Sequence, residues 1–152
     1  MTIVPYMQGQ LISKLAMSVT LGETTDWTTT NVNLWYTIRN NTTPKYLEYN
    51  YTPPEDGIAH LEAQLSFRHS TTDALIYMRI YENLTATTIS VVSGWSASVS
   101  YFSSIVATGD YAFTAGVACE FKAQIYLITS GTLTLSRDVD KTKFIVMPFA
   151  NP

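Results

Sequence analysis

The chain has 152 residues, 46 % of them apolar and only 14 % charged, with a formal net charge of -3. That length suits one domain with a full core, and that apolar share argues against a disordered chain. The nine Lys and Arg are scattered, which argues against a nucleic-acid partner, and no apolar run approaches the ~20 residues that span a bilayer.

Met1 to Gln10 opens the chain without the basic start and apolar block of a signal peptide. It carries Ile3, Val4, Tyr6 and Met7 and no charged side chain, and reads as an N-terminal arm (residues 1–10) suited to docking. A single domain then fills residues 11–152. Strands are expected at Gln10–Thr20, Val32–Arg39 and Lys45–Tyr51, with the Thr-rich Thr24–Asn31 as a loop. Pro53-Pro54-Glu55-Asp56-Gly57 is a strong stop. After it, Ala59, Leu61, Ala63, Leu65 and Phe67 alternate with His60, Glu62, Gln64, Ser66 and Arg68, the period of a half-buried antiparallel strand.

The next strand, Asp73–Asn83, has two apolar faces. Ala74, Ile76, Met78 and Ile80 line one, and Leu75, Tyr77 and Tyr81 line the other. A sheet with one wet face should not look like this, so the second face needs a cover, either the N-terminal segment or another copy of the chain. Further strands are expected at Thr85–Val92, Trp95–Ile105, Tyr111–Cys119, Phe121–Thr129, Thr132–Ser136 and Phe144–Phe149. Gly109-Asp110 reads as a hairpin turn and Asp138–Lys141 as a loop. About ten short strands and no convincing helix indicate a sandwich or barrel.

The run "PPEDGIAHLEAQLSF" (Pro53–Phe67), the hairpin-like "SVSYFSSIVATGDYAFTAGVACEF" (Ser98–Phe121) and the closing "KFIVMPF" (Lys143–Phe149) together resemble the tumour-necrosis-factor-like and complement globular-head jelly rolls. The resemblance implies an antiparallel jelly-roll sandwich that associates as a homotrimer. In bacteriophages and other viruses such modules serve as capsid decoration proteins, spikes and fibre heads.

Residues that could carry chemistry each have a plainer reading. His60 and His69 are too few to hold a metal and read as surface residues. Gly94-Trp95-Ser96 lacks the closing glycine of a nucleophile turn. Glu55, Asp56, Glu62 and Glu120 read as solvated carboxylates, and Cys119 as a buried thiol. The sequons at Asn40, Asn41, Asn50 and Asn83 matter only in a secreted chain. No catalytic residue, cofactor or metal is assigned. Candidate interface residues are Ile3, Val4, Tyr6, Met7, Trp35, Tyr36, Tyr49, Tyr77 and Tyr81. The expected function is a non-enzymatic virion structural protein. It would be a trimeric capsid decoration or cement protein on the capsid surface, made in the host cytoplasm, with the major capsid protein or other virion proteins as partners. The alternative is the receptor-binding head of a phage tail fibre or spike, contacting glycans or the host surface.

Overall fold

The computed structural model describes residues 10–11, 17–20, 27–29, 32–39, 46–97, 99–136 and 141–151. Within them all regular structure is β. In chain order the strands are β1 (Gln10–Leu11), β2 (Met17–Thr20), β3 (Trp27–Thr29), β4 (Trp35–Thr37), β5 (Glu48–Tyr51), β6 (Gly57–His69), β7 (Leu75–Glu82), β8 (Thr87–Trp95), β9 (Ser103–Phe113), β10 (Cys119–Leu127), β11 (Leu133–Leu135) and β12 (Lys143–Ala150).

Several short strands are pieces of one column. β1, β2 and β3 lie in succession along β12 and β11, and β11 and β12 lie in succession along β6. β4 and β5 likewise share one side of β10. Between them Arg39 bridges Tyr46 antiparallel, and the Leu47 N–H donates to the Ile38 carbonyl at 2.7 Å. Counted by columns, the first sheet runs β1/β2/β3, β12/β11, β6, β9, and the second runs β4/β5, β10, β7, β8. In chain order that is 1-8-3-6 facing 2-7-4-5, with every pairing antiparallel. This wrapping of paired strands across two sheets is a jelly roll.

The core lies between the sheets and follows the period of two. β6 turns Ala59, Leu61, Ala63, Leu65 and Phe67 inward, joined by Leu133, Leu135, Phe144 and Val146. Ile76, Met78, Ile80, Phe121, Ala123, Ile125 and Leu127 meet them from the second sheet. Burying each large side chain contributes ~2 kcal/mol of transfer free energy.

Four expectations are corrected. Gly109-Asp110 is no turn: both residues sit inside β9, opposite Leu61 and His60 of β6. A Cβ at Gly109 would lie 2.8 Å from Ile89 Cγ2, so the glycine serves the close approach of β8 to β9. The strands expected at Trp95–Ile105 and Tyr111–Cys119 are correspondingly displaced. β8 ends at Trp95, β9 runs Ser103–Phe113, and the real turn carries Gly116 at φ 73°. The Thr-rich loop contains a strand, since Trp27–Thr29 pairs with β11, as β-branched threonines favour. Finally, His69 is not a surface residue. β6 extends to residue 69, whose odd position points inward, and the side chain is 1 % exposed.

Candidate functional site

Because each strand alternates, the sandwich has two outer faces, and both carry more apolar surface than solvation alone requires. On the first sheet, register sets the outward side chains in rows across β12, β6 and β9. These rows are Phe149–Ile58–Ala112, Met147–His60–Asp110, Ile145–Glu62–Thr108 and Lys143–Gln64–Val106. Ile58 and Val106 are each 46 % exposed, and Ile145, Met147 and Phe149 are half-buried beside them. In the second row His60 Nδ1 stands 2.8 Å from Asp110 Oδ1, both groups open to solvent, where an ion pair adds little stability.

The outer face of the second sheet is organised around Arg79. Its rows are Trp35–Tyr126–Tyr77–Ser93 and Thr37–Gln124–Arg79–Val91, followed by Lys122 beside Tyr81 and Thr88. The Arg79 guanidinium carbon lies 4.3 Å from the centroid of Trp35 and 3.9 Å from that of Tyr81. The cation therefore has cation–π contact with both rings. Arg79 Nε donates to Gln124 Oε1 at 2.8 Å, and Gln124 Nε2 reaches toward Thr37 Oγ1 at 3.4 Å. Trp35 in turn packs on Tyr126 with centroids 5.2 Å apart. Burial lowers the Arg79 pKa, with Tyr81 opposing. Beyond this cluster, Trp95 stands opposite Leu75 and is 59 % exposed. The second apolar face of β7 is thus partly covered by the chain's own Trp35 and Tyr126.

The other groups weighed for chemistry hold the fold together. Ser96 is buried. Its hydroxyl donates to the Thr71 carbonyl at 2.9 Å and accepts from the Ala74 N–H at 3.0 Å. His69 Nδ1 accepts from the Thr71 N–H at 3.0 Å, while buried Nε2 has no hydrogen-bond partner among the described residues. Burial lowers the His69 pKa, against a smaller upward pull from the backbone of Thr71 and Thr129. Cys119 is buried, its pKa raised by burial and then by Glu82. Lys122 pairs with Glu120 at 3.1 Å.

Of the candidate interface residues, Trp35, Tyr77 and Tyr81 lie on the outer face of the second sheet. Tyr36 and Tyr49 pack against the core, and the buried hydroxyl of Tyr36 has no hydrogen-bond partner among the described residues. Burial raises the Tyr49 pKa. Ile3, Val4, Tyr6 and Met7 lie outside the described residues. Sequence reasoning missed Arg79, Gln124, Ile58, Val106, Ile145, Met147 and Phe149. A signal for Arg79 was present, as the one cation on the apolar second face of β7.

No protein-family description and no curated protein sequence matches the chain. Solved structures do resemble it. Eiger, a tumour necrosis factor from S. frugiperda, is 10 % identical, with 85 % of this chain and 96 % of that one covered and a TM-score of 0.48. Murine APRIL at pH 5.0 is 15 % identical over 66 % of this chain and 72 % of that one, with a TM-score of 0.46. A CocE/NonD family hydrolase from Staphylococcus aureus is 8 % identical over 68 % of this chain, which spans 30 % of that protein, with a TM-score of 0.42. These are likenesses of fold alone. The strand order independently defines the fold as an antiparallel jelly roll.

Proposed function

We propose that this chain is a non-enzymatic virion structural protein, a homotrimer that decorates a capsid surface and cements neighbouring subunits of the major capsid protein. The observation that carries the reading is the outer face of the first sheet. Ile58, Ile145, Met147 and Phe149 form an outward apolar patch across β6 and β12, with Val106 on β9 set apart from it by Glu62, Gln64 and Thr108. The outer face of an antiparallel sheet is ordinarily polar, and a contiguous apolar patch there marks a contact surface. Sister copies cover this face, and the trimeric count is what the resemblance in the sequence implies. Area removed from water between copies stabilises the assembly at roughly 25 cal/mol per Å².

The non-enzymatic part rests on the placement of the reactive groups. Ser96 and His69 are buried in backbone contacts, Cys119 is buried with a raised pKa, and His60 is paired with Asp110. The virion part rests on composition, a charge-poor surface rich in Ser and Thr. Production in the host cytoplasm and a place on the capsid surface go with it. Cementing would work by mass action, since a ligand that binds only the intact shell stabilises it, with avidity from three linked copies.

Sedimentation equilibrium of the isolated chain tests the assembly. A trimer is expected, and a monomer overturns it. Adding the protein to shells that lack it and then heating them tests the role. A higher shell melting temperature is expected, and no gain removes the cement function.

A further inference from the structure

We propose that the outer face of the second sheet is a binding site for acidic sugars, with the Arg79 guanidinium receiving the sugar carboxylate. This goes beyond the structural role and does not depend on it, because the two sheets face opposite ways.

The argument starts from an unbalanced charge. Arg79 lies in the middle of β7, half-buried, with β10 on one side and β8 on the other. Among the described residues no carboxylate pairs with it: Glu120 meets Lys122 and Asp110 meets His60. A desolvated cation without a counter-ion is costly. Its position is nonetheless fixed, by the rings of Trp35 and Tyr81 and by Gln124, itself 8 % exposed. Nε is engaged by Gln124, and the terminal N–H groups have no protein acceptor among the described residues. A planar guanidinium held in this way matches a carboxylate, which it can grip through two parallel hydrogen bonds.

The surroundings favour a sugar over an acidic peptide. The backbone of β7 is paired on both sides, so no extended peptide can add to it as a strand. The neighbouring side chains are Tyr77, Tyr126 and Trp35 with the hydroxyl or amide groups of Thr37, Ser93 and Gln124. Rings suit the C–H face of a pyranose, and hydroxyls and amides suit its rim.

The test is an NMR titration of the full-length ¹⁵N-labelled chain with D-glucuronate and N-acetylneuraminate. D-glucose, acetate and a tetraglutamate peptide serve as controls. The chain has only four arginines and three tryptophans, so the Arg79 Nε–H and Trp35 indole N–H signals can be assigned by substitution. Both are expected to shift saturably with the acid sugars and not with glucose. Arg79→Lys keeps the charge but loses the planar fork, and should weaken binding about tenfold or more. Gln124→Glu supplies an internal carboxylate beside Arg79 and should block binding while the fold is retained, which keeps the test decisive if Arg79→Lys fails to fold. The proposal is overturned by no saturable shift with either sugar, or by undiminished binding in both variants. Equal binding of acetate overturns it in favour of a bare anion contact, and equal binding of tetraglutamate in favour of an acidic peptide.

Discussion

Glu82, the last residue of β7, accepts the backbone N–H of Glu120 on β10 at 3.1 Å and so ties the β7–β8 turn to the neighbouring strand. The same fully buried carboxylate accepts the N–H groups of Leu84 at 3.0 Å and Thr85 at 2.8 Å, and the Thr85 hydroxyl at 2.8 Å. Burial pushes its pKa up, but the bonds from Thr85, Glu120 and Leu84 together outweigh burial and hold it below the ordinary carboxylate value. A folded-state pKa below the unfolded one contributes stability that is complete above the unfolded pKa of ~4.3 and is lost as pH falls through the folded value. Melting temperature should therefore drop on acidification below about pH 4, and Glu82→Gln should flatten that drop. Glu82→Ala removes the charged acceptor of four hydrogen bonds and should cost ~2–4 kcal/mol in urea unfolding at neutral pH.

Gly109 gives a test that separates close packing from turn chemistry. A side chain there meets Ile89 Cγ2 at 2.8 Å, the Ile89 carbonyl at 3.2 Å and Ser90 Cβ at 3.3 Å. Gly109→Ala should destabilise by ~1–3 kcal/mol through overpacking. In a hairpin turn Asn would be the best-tolerated substitute. Here Gly109→Asn should be worse than Ala, because it is larger. A thermal melt of the two variants decides it, and an Asn variant more stable than the Ala variant would contradict the packing account.

The same glycine shows where the sequence was legible and where it was not. Alternation located β6, β7, β11 and β12 to within a few residues, because those strands bury one face and the period survives in the side chains. It misplaced β9 because Gly-Asp inside a strand looks like a turn when the neighbouring strand that requires the glycine is unknown. Tyr111 to Cys119 kept its odd-numbered apolar pattern across a real turn, and Val117 is in fact 53 % exposed. His69 was misjudged because its strand was ended one residue early. The apolar outer face of the first sheet depends on register among three strands distant in sequence, which no local pattern records.

The self-association surface can be probed at its most open apolar positions. Ile58→Glu and Val106→Glu each place a charge on the first sheet's outer face, where neither side chain contributes to the core. Both should shift sedimentation toward monomer, since a buried unpaired charge in a contact costs several kcal/mol. Val91→Glu, on the second sheet and 54 % exposed, should leave the assembly unchanged. A disrupting Val91 variant with harmless Ile58 and Val106 variants would assign the contact to the other sheet.

His69 makes a second, separate pH window. Its imidazole is buried, and burial lowers its pKa from the ordinary value. The unfolded chain therefore binds a proton that the folded chain resists, and stability rises with pH between the two values. The contribution is complete above the unfolded pKa of ~6.5 and is lost as pH falls from there toward the folded value. The element to retain is the acceptor at Nδ1 for the Thr71 N–H at 3.0 Å, which a glutamine carbonyl can replace. His69→Gln should thus remove the loss of stability that sets in as pH falls below about 6.5 while leaving the Glu82 transition in place. Urea unfolding of both proteins across that range measures it. A wild-type midpoint that stays flat as pH falls from about 6.5 to the onset of the Glu82 transition would mean that His69 is solvated in the folded protein, and with it that β6 ends before residue 69.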